Sequence, residues 1–178
     1  MIEADRAVDA AIRSGGLVHY RPALERGELP LRMLWIRPDI QSLLASTRLG
    51  PEQRERVKAL FKRFVVGGQI NVVTAEAPHR EVGKLGDIKE LKTRPPPFIE
   101  VRIKPPEHDL RFFGRFIGGD KLVVTTYGIK SLERNVKARP FSVAAERERC
   151  DACFKLLNID QSAVPPRIRD SLSKASFT

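Results

Sequence analysis

Between residues 98 and 130 apolar and polar positions alternate with a period of two through three consecutive segments: FIEVRIK (98–104), LRFFGRFI (110–117) and KLVVTTYGIK (121–130). Alternation built from Val, Ile, Phe and Thr predicts β-strands. The breaks at Pro105-Pro106 and at Gly118-Gly119-Asp120 predict that the three strands are antiparallel neighbours. The same alternation sorts the side chains. Ile99, Val101, Ile103, Leu110, Phe112, Phe116, Leu122 and Val124 fall on one face. Glu100, Arg102, Lys104, Arg111, Phe113, Arg115, Val123, Thr125 and Tyr127 fall on the other. One face is apolar, and the opposite one is expected to bring Arg102, Lys104, Arg111, Arg115 and Tyr127 together. That basic face is the candidate site.

The flanking pattern is mostly helical. Residues 2–13 form a short amphipathic helix ended by Ser14-Gly15-Gly16, followed by an irregular arm to Pro30. LRMLWI (31–36) predicts a strand, and Asp39 is placed to cap a helix over 40–46 with Ile40, Leu43 and Leu44 as its stripe. A firmer helix starts at Pro51, buries Val57, Leu60, Phe61 and Phe64, and stops at Gly67-Gly68. Its outer face carries Arg54, Arg56, Lys58, Lys62 and Arg63, a solvated face or a phosphate contact. INVVT (70–74) predicts a strand, 81–92 a loop or turn, and Thr93-Arg94-Pro95-Pro96-Pro97 a stiff extended entry to the sheet. After a basic segment (131–139), residues 140–157 predict a helix with Val143, Ala144, Cys150, Phe154 and Leu157 turned inward. From Asn158 onward a loosely ordered tail is expected. The fold class is α+β: a small antiparallel or mixed sheet with a C-terminal three-stranded meander, packed against a helical hairpin and a C-terminal helix. The chain divides into an N-terminal helical arm (1–30), a central domain (31–157) and a tail (158–178).

Charge narrows the partners. Lys+Arg 32 against Asp+Glu 22 gives +10 and a pI near 10.1, which favours nucleic acid first, an acidic protein second and an anionic membrane surface third. No apolar run reaches the roughly 20 residues of a membrane span, and the acidic start lacks the form of a secretory signal, so a cytoplasmic protein is expected. Cys150 and Cys153 lack a second ligand pair at zinc spacing, so two reduced helical thiols are expected. No phosphate-binding loop, dinucleotide fingerprint or metalloprotease motif occurs, and no metal or organic cofactor is invoked.

The order strand, helix, helix, linker, three strands, basic segment, helix resembles the RelE/ParE superfamily of bacterial toxins, nearest its HigB-like, phage-derived subgroup. The residues carrying the resemblance are Glu100-Val101-Arg102, Leu110-Arg111-Phe112-Phe113, the GGDKLVV turn and strand, Ile129-Lys130, Arg139-Pro140 and Ala144-Ala145-Glu146-Arg147. The resemblance implies a RelE-like fold over residues 31–157. It also implies a toxin of a toxin–antitoxin system, acting as a metal-independent endoribonuclease on ribosome-bound mRNA and neutralised by an acidic antitoxin protein. The family's paired strand arginines correspond to Arg102 and Arg111, and its basic position after the last strand to Lys130. The chain departs from the pattern at Ser131, where a second basic residue is usual, at Tyr127, one place off the family's aromatic, and in about thirty additional N-terminal residues. Those departures favour a non-catalytic nucleic-acid- or protein-binding protein on the same fold; a ParE-like gyrase inhibitor is a further alternative.

RNA cleavage by its own 2′-hydroxyl needs a proton acceptor, a proton donor and stabilisation of the phosphorane charge. Arg102, Arg111 and Arg115 suit the last role, or else form solvated cross-strand pairs with Glu100 and other acids. Lys104 or Lys130 is the candidate base, its pKa lowered from about 10.4 by neighbouring arginines. Tyr127 is a candidate for stacking or proton transfer, or a half-buried strand residue. Phe113 is a candidate stacking platform, or core. His108, Arg134 and Lys137 complete the expected nucleic-acid contacts.

Overall fold

The computed structural model describes residues 2–74, 87–91, 98–103, 109–130, 142–159, 168–173 and 175–177. Its elements are α1 (Ile2–Arg13), β1 (Val18–His19), β2 (Met33–Ile36), α2 (Pro38–Ala45), α3 (Pro51–Val65), β3 (Ile70–Val73), β4 (Ile88–Leu91), β5 (Phe98–Ile103), β6 (Asp109–Gly118), β7 (Lys121–Lys130), α4 (Val143–Leu156), a single 3-10 turn (Ile168–Ser171) and β8 (Ala175–Phe177). The strands form one mixed sheet in the order β1-β2-β7-β6-β5-β4-β3-β8. β5, β6 and β7 pair consecutively and antiparallel, whereas β2 joins β7, and β8 joins β3, in parallel. The architecture is α+β.

Helices cover both faces of the sheet. On one side Ile40, Leu43 and Leu44 of α2 and Val57, Leu60, Phe61 and Phe64 of α3 pack against Ile99, Val101, Leu110, Phe112, Phe116, Leu122 and Val124. On the other, Val8 and Ala11 of α1 and Cys150 and Phe154 of α4 pack against Trp35, Phe98, Phe113, Ile117 and Val123. A sheet buried on both faces cannot leave one face to solvent, and this decides the fate of the expected basic face.

Local chemistry explains the element ends. α3 begins with Pro51 and closes in a Schellman motif: Gly67 N–H donates to Phe64 O at 3.1 Å and Gly68 N–H to Arg63 O at 2.9 Å, with Gly67 at φ 71°. α2 is capped differently from expectation. Its N-cap is Arg37, and Asp39 lies inside the first turn, its Oδ1 accepting from Ile40 N–H at 3.0 Å. In α4, Ser142 accepts from Ala145 N–H, while Val143 and Ala144 face outward rather than into the core.

Both chain ends belong to this body. α1 is docked rather than peripheral, and β1 extends the sheet, with Val18 opposite Ile36 and His19 opposite Trp35. At the other end, Ile168 and Leu172 enter the α3-side core, and Ile70, Asn71 and Val72 of β3 pair with Ala175, Ser176 and Phe177. The described part of the expected tail is thus a core-docked 3-10 turn followed by an edge strand. The prolines at 93–97 and the basic segment at 131–139 lie outside the described residues.

His19 gives a direct reading on the docking of the N-terminal segment. Burial, then the nearby Arg21 charge, pulls its pKa below the ordinary 6.5. The unfolded chain therefore takes up this proton first, so the stability contributed by neutral His19 is present above about 6.5 and is lost as pH falls from there through the lowered folded value. An NMR titration of the His19 ring is expected to give a midpoint below 6.5; a midpoint above it would mean the β1 segment is undocked in solution.

Candidate nucleic-acid interface

The β5–β6 register sets Arg102 directly opposite Arg111, and Glu100 opposite Phe113. Like charges facing each other across a ladder repel unless an anion lies between them. Glu100 is that anion. Its carboxylate is 1 % exposed, and it accepts from Arg102 Nε at 3.1 Å and Nη2 at 3.0 Å through Oε2, and from Arg111 Nη1 through Oε1. The triad carries a net single positive charge, and both guanidinium groups keep a small exposed surface. The cross-strand pairing with Glu100 weighed from the sequence is therefore present, but buried rather than solvated.

Arg102 also borders a cleft of about 330 Å³ between the C-terminal half of α3 and the end of β5, lined with it by Arg56, Arg63, Leu60, Asp87 and Ile103. Arg63 is held by Asp87 at 2.5 Å, and Arg56 by Glu52 at 2.6 Å. With Arg102 paired to Glu100, the described charges here are Arg56, Arg63, Arg102 and Arg111 against Glu52, Asp87 and Glu100, an excess of one positive charge. Elsewhere on the outer face of α3, Lys58 pairs with Glu55 and Lys62 with Glu25 and Glu28, while Arg54 donates to Ser46 O at 3.0 Å.

Three expected site residues lie elsewhere. Phe113 is fully buried and stacked on Phe98, with ring centroids 5.5 Å apart and planes at 5°, so no face of its ring is open to a base. Arg115, 2 % exposed, lies beneath α4, with Nη2 2.5 Å from Asp151 Oδ1 and its guanidinium 5.6 Å from the Phe154 ring centre. Tyr127 is on the opposite face from Arg102 and Arg111, its ring 6.4 Å from that of Phe112.

The cause of the last displacement is a β-bulge. Phe113 pairs with Thr126 but Gly114 pairs with Val124, so Thr125 is an extra residue that reverses the alternation for the rest of β7. Lys130 closes the ladder opposite Asp109. Lys104, His108, Arg134 and Lys137 lie outside the described residues.

Some features that matter were not singled out from the sequence. The sequence marks Glu100 only as a counter-ion, and the cleft on α3 exists only in the tertiary structure. The bulge had a sequence signal: glycine inside a strand, opposite the doubled pairs Val123-Val124 and Thr125-Thr126. Among the described residues no group of three or more His, Cys, Asp or Glu is placed to hold a metal ion, and no helix is long and apolar enough to cross a membrane. The chain matches no protein-family model, no curated protein and no solved structure.

Proposed function

We propose that this protein binds nucleic acid, single-stranded RNA before DNA, through the positive end of the sheet formed by Arg102, Arg111 and the Arg56–Arg63 cleft. The observation that carries the reading is the opposed pair Arg102 and Arg111, locked by one buried carboxylate beside two further arginines. Preset guanidinium groups lose little entropy on meeting phosphate, and they match its oxygens in pairs. The +10 charge supplies the long-range attraction.

The more specific form of this reading is a RelE/ParE-like, HigB-like toxin that cuts ribosome-bound mRNA without a metal and is restrained by an acidic antitoxin. Its support is the consecutive antiparallel β5-β6-β7 with the arginine pair at the matching positions. In that form Arg102 and Arg111 stabilise the phosphorane, and proton transfer falls to Lys104, His108 or Lys130, because Tyr127 faces the opposite layer. Gyrase inhibition is distinguished by a supercoiling assay.

Anisotropy of a labelled single-stranded RNA, titrated with protein at several salt concentrations, tests the binding reading. Affinity should fall linearly in log–log form, by about 0.7 per phosphate neutralised. Replacing Arg56 and Arg63 together with Gln should weaken binding uniformly across sequences and flatten that slope. Salt-independent affinity, or a slope unchanged in the double variant, would refute the interface. Intact mRNA on programmed ribosomes would remove the ribonuclease form alone.

A further inference from the structure

The bulge that displaces Tyr127 also builds something. An extra residue in β7 turns Thr125 and Thr126 toward α4 in succession, where a regular strand would present only one of them. The Thr125 hydroxyl lies 3.0 Å from Cys150 Sγ, a thiol that burial pushes up to about 12 and so holds as a neutral partner. The Thr126 hydroxyl has no hydrogen-bond partner among the described residues, although the residue is only 8 % exposed. A buried hydroxyl left unpaired is costly, so such a group calls for a reason.

Thr126 lies in the wall of a cleft of about 470 Å³ bounded by the start of α2, the bulge and the outer turns of α4. Arg37 and Arg149 stand in its lining on separate elements, with Thr125, Ala152, Cys153 and Asp39. Arg37 donates to Cys153 Sγ at 2.9 Å and meets Asp39 at 3.4 Å, while Arg149 meets Glu146 at 3.1 Å. Arg115, also beneath α4, is paired to Asp151 through Nη2, and its Nε and Nη1 have no acceptor among the described residues.

We propose that this cleft is a binding site for a small phosphomonoester, its phosphate held between Arg37 and Arg149 and one oxygen accepting from the Thr126 hydroxyl. The site is separate from the Arg56–Arg63–Arg102 cleft and independent of the nucleic-acid reading. Two arginines on different elements clasp a tetrahedral anion from two sides, and the volume accommodates an organic group attached to it. Among the described lining residues Asp39 is the one acidic side chain, and it competes with the ligand for Arg37 as Glu146, beside the lining, does for Arg149.

The test follows the amide resonances of the full chain during titration with phenyl phosphate and, separately, inorganic phosphate. Saturable shifts centred on Arg37, Thr126, Arg149 and Ala152 are expected, with phenyl phosphate the tighter of the two. Thr126→Val keeps the shape but removes the hydroxyl, and Arg149→Gln removes an exposed charge; each should weaken binding roughly tenfold, the loss of one hydrogen bond to a charged group. Asp39→Asn should tighten it. Each variant's spectrum away from the cleft shows whether it remains folded. Equal affinity in wild type, Thr126→Val and Arg149→Gln would overturn the proposal, as would shifts confined to the α3 arginines or weaker binding by Asp39→Asn.

Discussion

Gly114→Ala is expected to be the most damaging single-methyl change in this protein. A Cβ built on Gly114 lies 2.0 Å from Val123 O, 2.9 Å from Val123 C and 2.9 Å from Val124 Cα. All three are backbone atoms of the adjacent strand, so no side chain can rotate away. Relief requires β6 and β7 to separate at the bulge, in the middle of a sheet packed on both faces. A loss of about 3–5 kcal/mol is expected, at or beyond the upper range for overpacking. Gly119→Ala is the control: nothing lies within 4 Å of a Cβ there, and its effect should stay within about 0.5 kcal/mol. Urea midpoints of the two variants at equal m-value decide the matter. If Gly114→Ala unfolds at the wild-type midpoint, the register assigned to β7 is wrong. Thr125 and Thr126 would then no longer both face α4, and the phosphate cleft would lose its hydroxyl.

What the sequence disclosed, and what it did not, follows from this same strand. Period-two alternation placed all three central strands and divided Leu110, Phe112 and Phe116 from Arg111, Phe113 and Arg115 as the two cores have them. It then failed at Tyr127, because one inserted residue inverts every later position and alternation carries no memory across a bulge. Solvent is less legible still. Alternating apolar and basic residues read as one wet face, yet α1 and α4 cover that face and turn Arg115 and Phe113 into interior groups. Arginine on a strand does not announce whether its neighbour will be water or a carboxylate such as Asp151. Helix ends were more legible, since Pro51 and Gly67-Gly68 act through local backbone geometry. The C-terminal strand was not, because Ala175-Ser176-Phe177 is too short to show a period and owes its form to the edge of β3.

Arg32 shows how far a single side chain can tie such distant segments, and its replacement carries the second large expected effect. The residue stands inside the apolar run LRMLWI and is 2 % exposed. Burial pulls its pKa below the ordinary guanidinium value while Asp120 draws it back, and it remains a cation throughout the accessible range. Nε donates to Asp120 Oδ1 at 3.1 Å, Nη1 to Gly68 O at 2.8 Å, and Nη2 to Ser173 O, with the group 5.5 Å from the Phe64 ring centre. One guanidinium therefore joins the exit of α3, the β6–β7 turn and the segment leading into β8. Asp120, held at φ 56°, also accepts from Ser173 N–H at 2.9 Å, so the turn and the C-terminal segment support each other. Arg32→Met should cost about 3–5 kcal/mol, the usual result of removing one partner from a buried pair. Arg32→Lys should recover little, because a single ammonium cannot reach three acceptors arranged around a planar fork. Hydrogen exchange supplies the localised readout: amides of residues 175–177 and of the α3 exit should lose protection well before those of β6. A double-mutant cycle with Asp120→Asn should show coupling of roughly 0.5–3 kcal/mol. If both Arg32 variants kept wild-type stability with β8 still protected, the C-terminal strand would be held by its pairing to β3 alone, and Arg32 would be a passenger of the core rather than its clamp.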